Sequence, residues 1–240
     1  MLQILSLKML KRIRENSKED VAKSSALIIK KSIDNILKKK NHIVLAVPGG
    51  RNVKLMFDEL KKLDIPWNNV HLFIVDERLV PITDEESNFK IAKDNLVDYL
   101  MKKRLWSEKN IHPFIMDNNK KDYGIKDYTA ELKKNGGIYD IILLSSGEDG
   151  HIGALYPNHH SIKDESNDFI IIHDSPKPPK DRMTLSRKLL EKSQVAILLF
   201  VGDTKREAYN QFWNKKTNYE SCPAKLVKKI KKAYVLTDLA

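Results

Sequence analysis

Ile43-Val44-Leu45-Ala46-Val47-Pro48-Gly49-Gly50-Arg51-Asn52 is an unbroken β-rich apolar run that stops at a proline and two glycines. From Val53 to Leu63 the apolar residues return at helical spacing. A strand apolar on every residue has no solvent face, so it belongs inside a sheet covered on both sides, and parallel sheets are built that way. The helix that follows supplies one of the covers.

The same grammar recurs on either side. Upstream, residues 17–40 read as a helix with Ser17 at its N-cap and Val21, Ala22, Ala26, Ile29, Ile33, Ile36 and Leu37 on one stripe. Downstream, Val70 to Val75 reads as a buried strand ending in Asp76-Glu77-Arg78, followed by a helix from Asn88 to Leu100 capped at Ser87-Asn88. Tyr139 to Leu144 is a third strand, ending in Ser145-Ser146-Gly147. Phe169 to Ile172 reads as another. Val195 to Val201 ends in Gly202-Asp203, residues 204–213 read as helix, and Ala233 to Leu236 as a last short strand. No repeat or low-complexity linker interrupts the series, so residues 1–240 are expected to form a single α/β domain with a mostly parallel sheet and helices on both faces.

In such sheets ligands bind beyond the carboxyl ends of the strands. The unusual residues stand there: Pro48-Gly49-Gly50-Arg51, Asp76-Glu77-Arg78, Gly147-Glu148-Asp149-Gly150-His151 and Gly202-Asp203-Thr204-Lys205. Four turns are expected to converge on one rim. Gly49 and Gly50 let the backbone approach a ligand, and the helix they open offers partial positive charge to a phosphate. Lys205, or its neighbour Arg206, places a cation at a helix start, where an anionic ligand would repay it; the alternative is an exposed lysine with its head in water. Arg78 can hold a carboxylate or phosphate through its fork. The acids beside it can orient that fork, bind sugar hydroxyls, or be ordinary loop charges. His151 in its neutral form can take a proton from water near neutral pH, and Asp149 is the candidate to fix its tautomer. Ser175-Pro176-Lys177-Pro178-Pro179-Lys180-Asp181-Arg182 is a stiff cationic loop that would hold Lys177 in place.

Composition narrows the function classes. The 240 residues include 43 Lys and Arg against 32 Asp and Glu, a formal net charge of +11, with the cations spread along the chain. That distribution, without a basic helix or an aromatic platform, disfavours nucleic acid as a partner. The single cysteine, Cys222, rules out an internal disulfide and points to a reducing compartment. No apolar run reaches the ~20 residues of a membrane span, and the first residues lack a charge-then-apolar leader order. A cytoplasmic protein is expected, with no membrane partner. No spaced His, Cys and Asp set suggests a metal, and the one adjacent pair, His159-His160, is expected to point apart. A Gly-x-Ser-x-Gly elbow is absent, which leaves water as the nucleophile.

Read in order, these blocks resemble the 6-phosphogluconolactonase family over nearly the whole chain. Pro48-Gly49-Gly50-Arg51 is similar to its Gly-Gly phosphate loop. Asp76-Glu77-Arg78-Leu79-Val80-Pro81 with Ser87-Asn88 is similar to its Asp-Glu-Arg…Ser-Asn block. Gly147-Glu148-Asp149-Gly150-His151 with Leu155-Tyr156-Pro157 is similar to its Gly-x-Asp-Gly-His…Leu-Phe-Pro block. Ser175-Pro176-Lys177-Pro178-Pro179 through Arg182 and Thr184 is similar to its Ser-Pro-Lys-Pro-Pro…Arg-x-Thr segment.

The resemblance implies the three-layer, Rossmann-like fold of the glucosamine-6-phosphate deaminases and hydrolysis of 6-phosphogluconolactone without a cofactor. It implies His151 as general base, Asp149 and Arg78 beside it, and Gly49, Gly50, Arg51, Lys177, Arg182 and Lys205 around the phosphosugar. A monomer or weak homodimer is the expected assembly. The chain departs from the family pattern at Pro48 and Asn52, where hydroxyl residues are usual, and at Ser145, where the family has glycine. The alternatives are a deaminase or aldose–ketose isomerase on the same fold, or a non-catalytic sugar-phosphate or nucleic-acid binder. The deaminase pattern places an acid after the histidine, where this chain has Ala154-Leu155-Tyr156.

Overall fold

The computed structural model describes residues 8–239. The expectation about a leader therefore concerns residues of which 1–7 lie outside those described. Ten strands run in chain order: β1 (Met9–Arg14), β2 (Ile43–Val47), β3 (Val70–Ile74), β4 (Asp76–Arg78), β5 (Ile111–His112), β6 (Ile141–Ser145), β7 (Phe169–Ile172), β8 (Arg182–Leu185), β9 (Val195–Phe200) and β10 (Lys232–Thr237). Seven of them form one parallel sheet in the order β1-β10-β9-β6-β2-β3-β5. The other three form a small antiparallel sheet, β4-β8-β7.

The helices are α1 (Lys18–Leu37), α2 (Arg51–Leu60), α3 (Asn88–Ala92), α4 (Asp98–Lys102), α5 (Ile125–Lys134), α6 (His160–Lys163), α7 (Arg187–Glu191) and α8 (Arg206–Trp213). A π turn, Lys93–Val97, joins α3 to α4. Ser17 caps α1 by accepting the Asp20 amide at 3.1 Å, and Ser87 caps α3 by accepting the Lys90 amide at 3.1 Å.

The strands alternate between two cores, as a period of two requires. Ile43, Leu45, Val47, Leu72, Ile74, Ile141, Leu143, Ile197 and Leu199 pack on the side of α1, α2 and the α3–α4 segment. Val44, Ala46, Phe73, Ile142, Leu144, Ala196, Leu198 and Phe200 face the opposite way, against α5, α7, α8 and the small sheet. Burial on both faces explains the unbroken apolar runs of the central strands.

Two segments differ from the expected assignment. β1, with the sequence Met9-Leu10-Lys11-Arg12-Ile13-Arg14, is an exposed edge strand whose charges hide its strand character. Asp76-Glu77-Arg78 is not a loop at the end of β3 but a strand that turns off into the small sheet and pairs with Arg182–Leu185.

Asp140 locks the amino ends of the sheet. Its side chain is fully buried and accepts from Lys40 Nζ at 2.6 and 2.8 Å, from the Val44 amide at 2.9 Å and from Gln194 Nε2 at 2.6 Å. The last lysine of the Lys38-Lys39-Lys40 run thus pins the start of β2 to β6. Asp140→Ala is expected to lower the unfolding free energy by about 2–3 kcal/mol, because it strands buried donors. Urea titration reads this, and activity per folded molecule should hold, since the pocket is at the other end of the sheet.

Candidate functional site

β2 and β6 are neighbours at the point where the strand order reverses, with β3 and β5 to one side and β9, β10 and β1 to the other. A doubly wound sheet opens a crevice there, because the helices after the two strands leave to opposite faces. A cavity of about 750 Å³ occupies that place, within the range of small-molecule sites. All four expected turns contribute to it: Pro48, Gly49, Gly50 and Asn52 after β2, Asp76 and Arg78 of β4, Ser145 to Glu148 and His151 after β6, and Thr204 and Lys205 after β9. Lys177 and Arg182 close it from the proline loop, and Lys18 and Lys54 add two further cations. Six basic side chains against Asp76 and Glu148 make the lining strongly positive.

Gly50 is the N-cap of α2 at φ 102°, a conformation that strains any residue with a Cβ. It turns the chain from β2 into α2 at the edge of the cavity. Arg51 opens this helix, but its side chain lies outside what the structure describes. Asn52, where the family has a hydroxyl, donates to the Val201 carbonyl at 3.4 Å and bridges the ends of β2 and β9.

His151 and Asp149 are brought together as expected. His151 Nδ1 lies 2.5 Å from Asp149 Oδ1, and the His151 amide donates to the same oxygen at 3.2 Å. The carboxylate fixes the proton on Nδ1, so Nε2 is the nitrogen left to act. Burial alone would raise Asp149, but the hydrogen bond and charge of His151 outweigh it and hold the carboxyl far below its usual range. The Tyr156 ring packs against the imidazole, with centroids 4.9 Å apart. Behind the loop, the Ala224 amide donates to the Gly150 carbonyl at 2.9 Å.

β4 sorts its three polar residues by strand alternation. Asp76 and Arg78 line the cavity, while Glu77 points away and is 1% exposed. Glu77 accepts from the amides of Arg78, Asn88 and Phe89, each at 2.7 Å, and from Ser87 Oγ at 3.0 Å. Burial pushes its carboxyl above the usual range, and these donors pull it back. Asn88 in turn donates to the Asp76 carbonyl at 2.8 Å and to its carboxylate at 3.3 Å. Burial also pushes Asp76 up, opposed first by Arg182 and then by Arg78 and His151.

The two arginines divide the work. Arg182 is almost wholly buried. Its Nε and Nη2 donate to the Pro179 and Pro178 carbonyls at 2.9 Å each, and Nη1 stands 4.0 Å from Asp76. Its guanidinium therefore braces the proline loop as well as facing the cavity. Arg78 Nη1 is held by the Glu86 carbonyl and, at 3.4 Å, by the Glu86 carboxylate. Lys205 sits 4.0 Å from Glu148, tying the β9 turn to the histidine loop. Arg206 pairs with Asp203 at 2.6 Å and does not line the cavity.

Chain similarity agrees with this geometry. Residues 16–236 match the family described as "Glucosamine-6-phosphate isomerases/6-phosphogluconolactonase". The chain belongs to this family. A 6-phosphogluconolactonase of Borreliella burgdorferi is 31% identical over 201 residues, 84% of this chain and 86% of that one. Among solved structures, the 6-phosphogluconolactonase of Thermotoga maritima superposes with a TM-score of 0.80 at 21% identity, covering 95% of this chain and 98% of the other. A monomeric glucosamine-6-phosphate deaminase superposes with a TM-score of 0.78 at 20% identity, covering 95% and 96%. The fold is thus the three-layer one shared by both branches of the family, and the site must separate them.

Sequence reasoning left Lys18, Lys54 and Thr204 without a role. Lys18 and Lys54 carried no signal, since both look like ordinary helix-surface lysines. Tyr156 was visible only as part of the Leu-Tyr-Pro block. Ser145 keeps φ out of the left-handed region, so the β6 turn does not need glycine there.

Gly147 does need to be glycine. A Cβ on it would stand 2.0 Å from His151 Nδ1 and 2.7 Å from Asp149 Oδ1. Gly147→Ala is expected to displace the imidazole and lower kcat by at least about 10²-fold, the scale of a lost general base. Steady-state kinetics alongside circular dichroism would detect it; full activity in the variant would contradict the observed loop geometry.

Proposed function

We propose that this protein is a cytoplasmic 6-phosphogluconolactonase, acting as one domain without a cofactor, and that His151 is the base that activates water. The carrying observation is the Asp149–His151 pair, 2.5 Å apart at the rim of a cationic cavity.

The phosphate lies at the Gly49-Gly50 turn, where the N-terminus of α2, Arg51 and Lys205 supply positive charge. Ser145, Ser146 and Thr204 line the same cavity and return hydroxyl groups that Pro48 and Asn52 do not offer. The lactone ring extends toward His151, between Arg78 and Lys177. Nε2 of His151 removes a proton as the water oxygen bonds to C1, and charge moves to the carbonyl oxygen, facing Arg78 and Lys177. The tetrahedral centre collapses, the bond from C1 to the ring oxygen breaks, and the imidazolium returns its proton to that oxygen. The acid product loses its proton to solvent as 6-phosphogluconate. Asp149 stabilises the imidazolium between the two transfers.

Ring opening by an amino-sugar isomerase lacks its acidic partner here, because the residues after the histidine loop, Ala154, Leu155 and Tyr156, are buried and carry no carboxylate. Nucleic acid is disfavoured as a partner because the site's cations gather in one concave crevice rather than along an extended surface. A reducing cytoplasm suits Cys222, a buried thiol. Among the described residues no helix is long and apolar enough to cross a membrane.

With freshly generated lactone and subtraction of spontaneous hydrolysis, His151→Ala is expected to lose about 10²–10⁴-fold in kcat with little change in KM. Lys205→Ala is expected to raise KM by about tenfold or more, the value of one charge-assisted contact. Wild-type protein that does not speed lactone opening, or that releases ammonia from glucosamine-6-phosphate, would refute the assignment.

A further inference from the structure

We propose that His159, His160 and Asp174 form a second site outside the lactone cavity, which binds one divalent transition-metal ion of the zinc class. The sequence suggests that the adjacent histidines point apart. In the structure their rings lie side by side, centroids 4.1 Å apart, and both turn to the same carboxylate. His160 Nε2 is 2.8 Å and His159 Nε2 3.2 Å from Asp174 Oδ1. One ligand atom from each residue lies within 4.8 Å of the other two, the one such group of three among the described residues. Tetrahedral zinc with bonds of ~2.0–2.1 Å keeps its ligand atoms about 3.3 Å apart, so a small movement of three side chains would seat the ion.

Two further features distinguish this cluster from an ordinary surface ion pair. His159 Nε2 is buried yet makes no hydrogen bond, although the carboxylate is only 3.2 Å away. The opposite ring nitrogen is supported as metal-binding histidines usually are. Nδ1 lies 3.0 Å from Ser161 Oγ, a fully buried hydroxyl that also accepts the Tyr156 amide at 3.2 Å. Metal on Nε2 would place the proton on Nδ1, donated to Ser161 Oγ, in exchange for the 3.2 Å bond that Nδ1 now accepts from the Ser161 amide.

Two imidazoles and a carboxylate favour zinc, cobalt, nickel or copper over magnesium or calcium. Asp174 and His160 are exposed, so an ion can enter and water can complete the shell. The site also couples two segments. Asp174 precedes Ser175, whose Oγ lies 2.9 Å from the Tyr156 hydroxyl and donates to the Lys177 carbonyl at 2.7 Å. A bound ion would fasten the loop carrying Lys177 to the start of α6.

The whole, untagged, chelator-treated protein would be titrated with Zn²⁺ by calorimetry and with Co²⁺ by visible absorption. The expected result is one equivalent bound with Kd in the micromolar range, a tetrahedral Co²⁺ spectrum, and a rise in Tm of about 3–6 °C at tenfold excess over Kd. Binding should weaken at least tenfold in His160→Ala and in Asp174→Asn, both exposed and outside the core, and persist in His151→Ala, which removes the other histidine–carboxylate pair. Absence of saturable binding below about 1 mM would overturn the proposal. So would binding that survives in His160→Ala and Asp174→Asn, or that depends on His151.

Discussion

All seven strands of the large sheet run in one direction, and the rest of the molecule follows from that. Parallel pairing sends every strand-to-helix turn to the same edge. The reversal of strand order between β2 and β6 opens that edge where the Gly49-Gly50 and Gly147–His151 turns emerge side by side. The glycine turn and the histidine loop therefore share a crevice without either segment specifying the other. At the far edge, the buried Asp140 carboxylate ties the start of β2 to the start of β6.

The small sheet brings the remaining groups to the crevice. β4 carries an acid, an acid and a base in succession, and its pairing with β8 sends the first and third to the cavity and the second inward. Glu77, the inward one, gathers four donors from β4 and the start of α3. It thereby holds Asn88 against Asp76. Across the same ladder, Arg182 reaches back to the carbonyls of Pro178 and Pro179. The proline loop with Lys177 is stiff because of this guanidinium as much as because of its prolines. A charge that sequence reading places on the substrate is partly engaged in building the wall.

The net charge of +11 also takes on local meaning. Many of the lysines lie on solvated helix faces in neutral pairs such as Lys30–Asp34 and Lys93–Asp98, worth little individually. Six cations converge on one concave surface, where low-dielectric walls strengthen their field and draw anionic ligands.

The sequence by itself determined the α/β class, the central strands and the four turns that meet, because two-sided burial leaves an unbroken apolar signature and glycine marks the turns. It also offered Asp149, two residues away in the same loop, as the candidate partner of His151, and the structure joins the two. Only the tertiary structure decided that Met9–Arg14 is an edge strand, since an exposed edge has no burial pattern to read. Only the structure turned Asp76–Arg78 away from β3, divided Arg182 between loop and cavity, brought Lys18 and Lys54 to the rim, and joined His159 and His160 through Asp174. Each of these depends on residues far apart in the chain meeting in space, and local periodicity carries no information about such meetings.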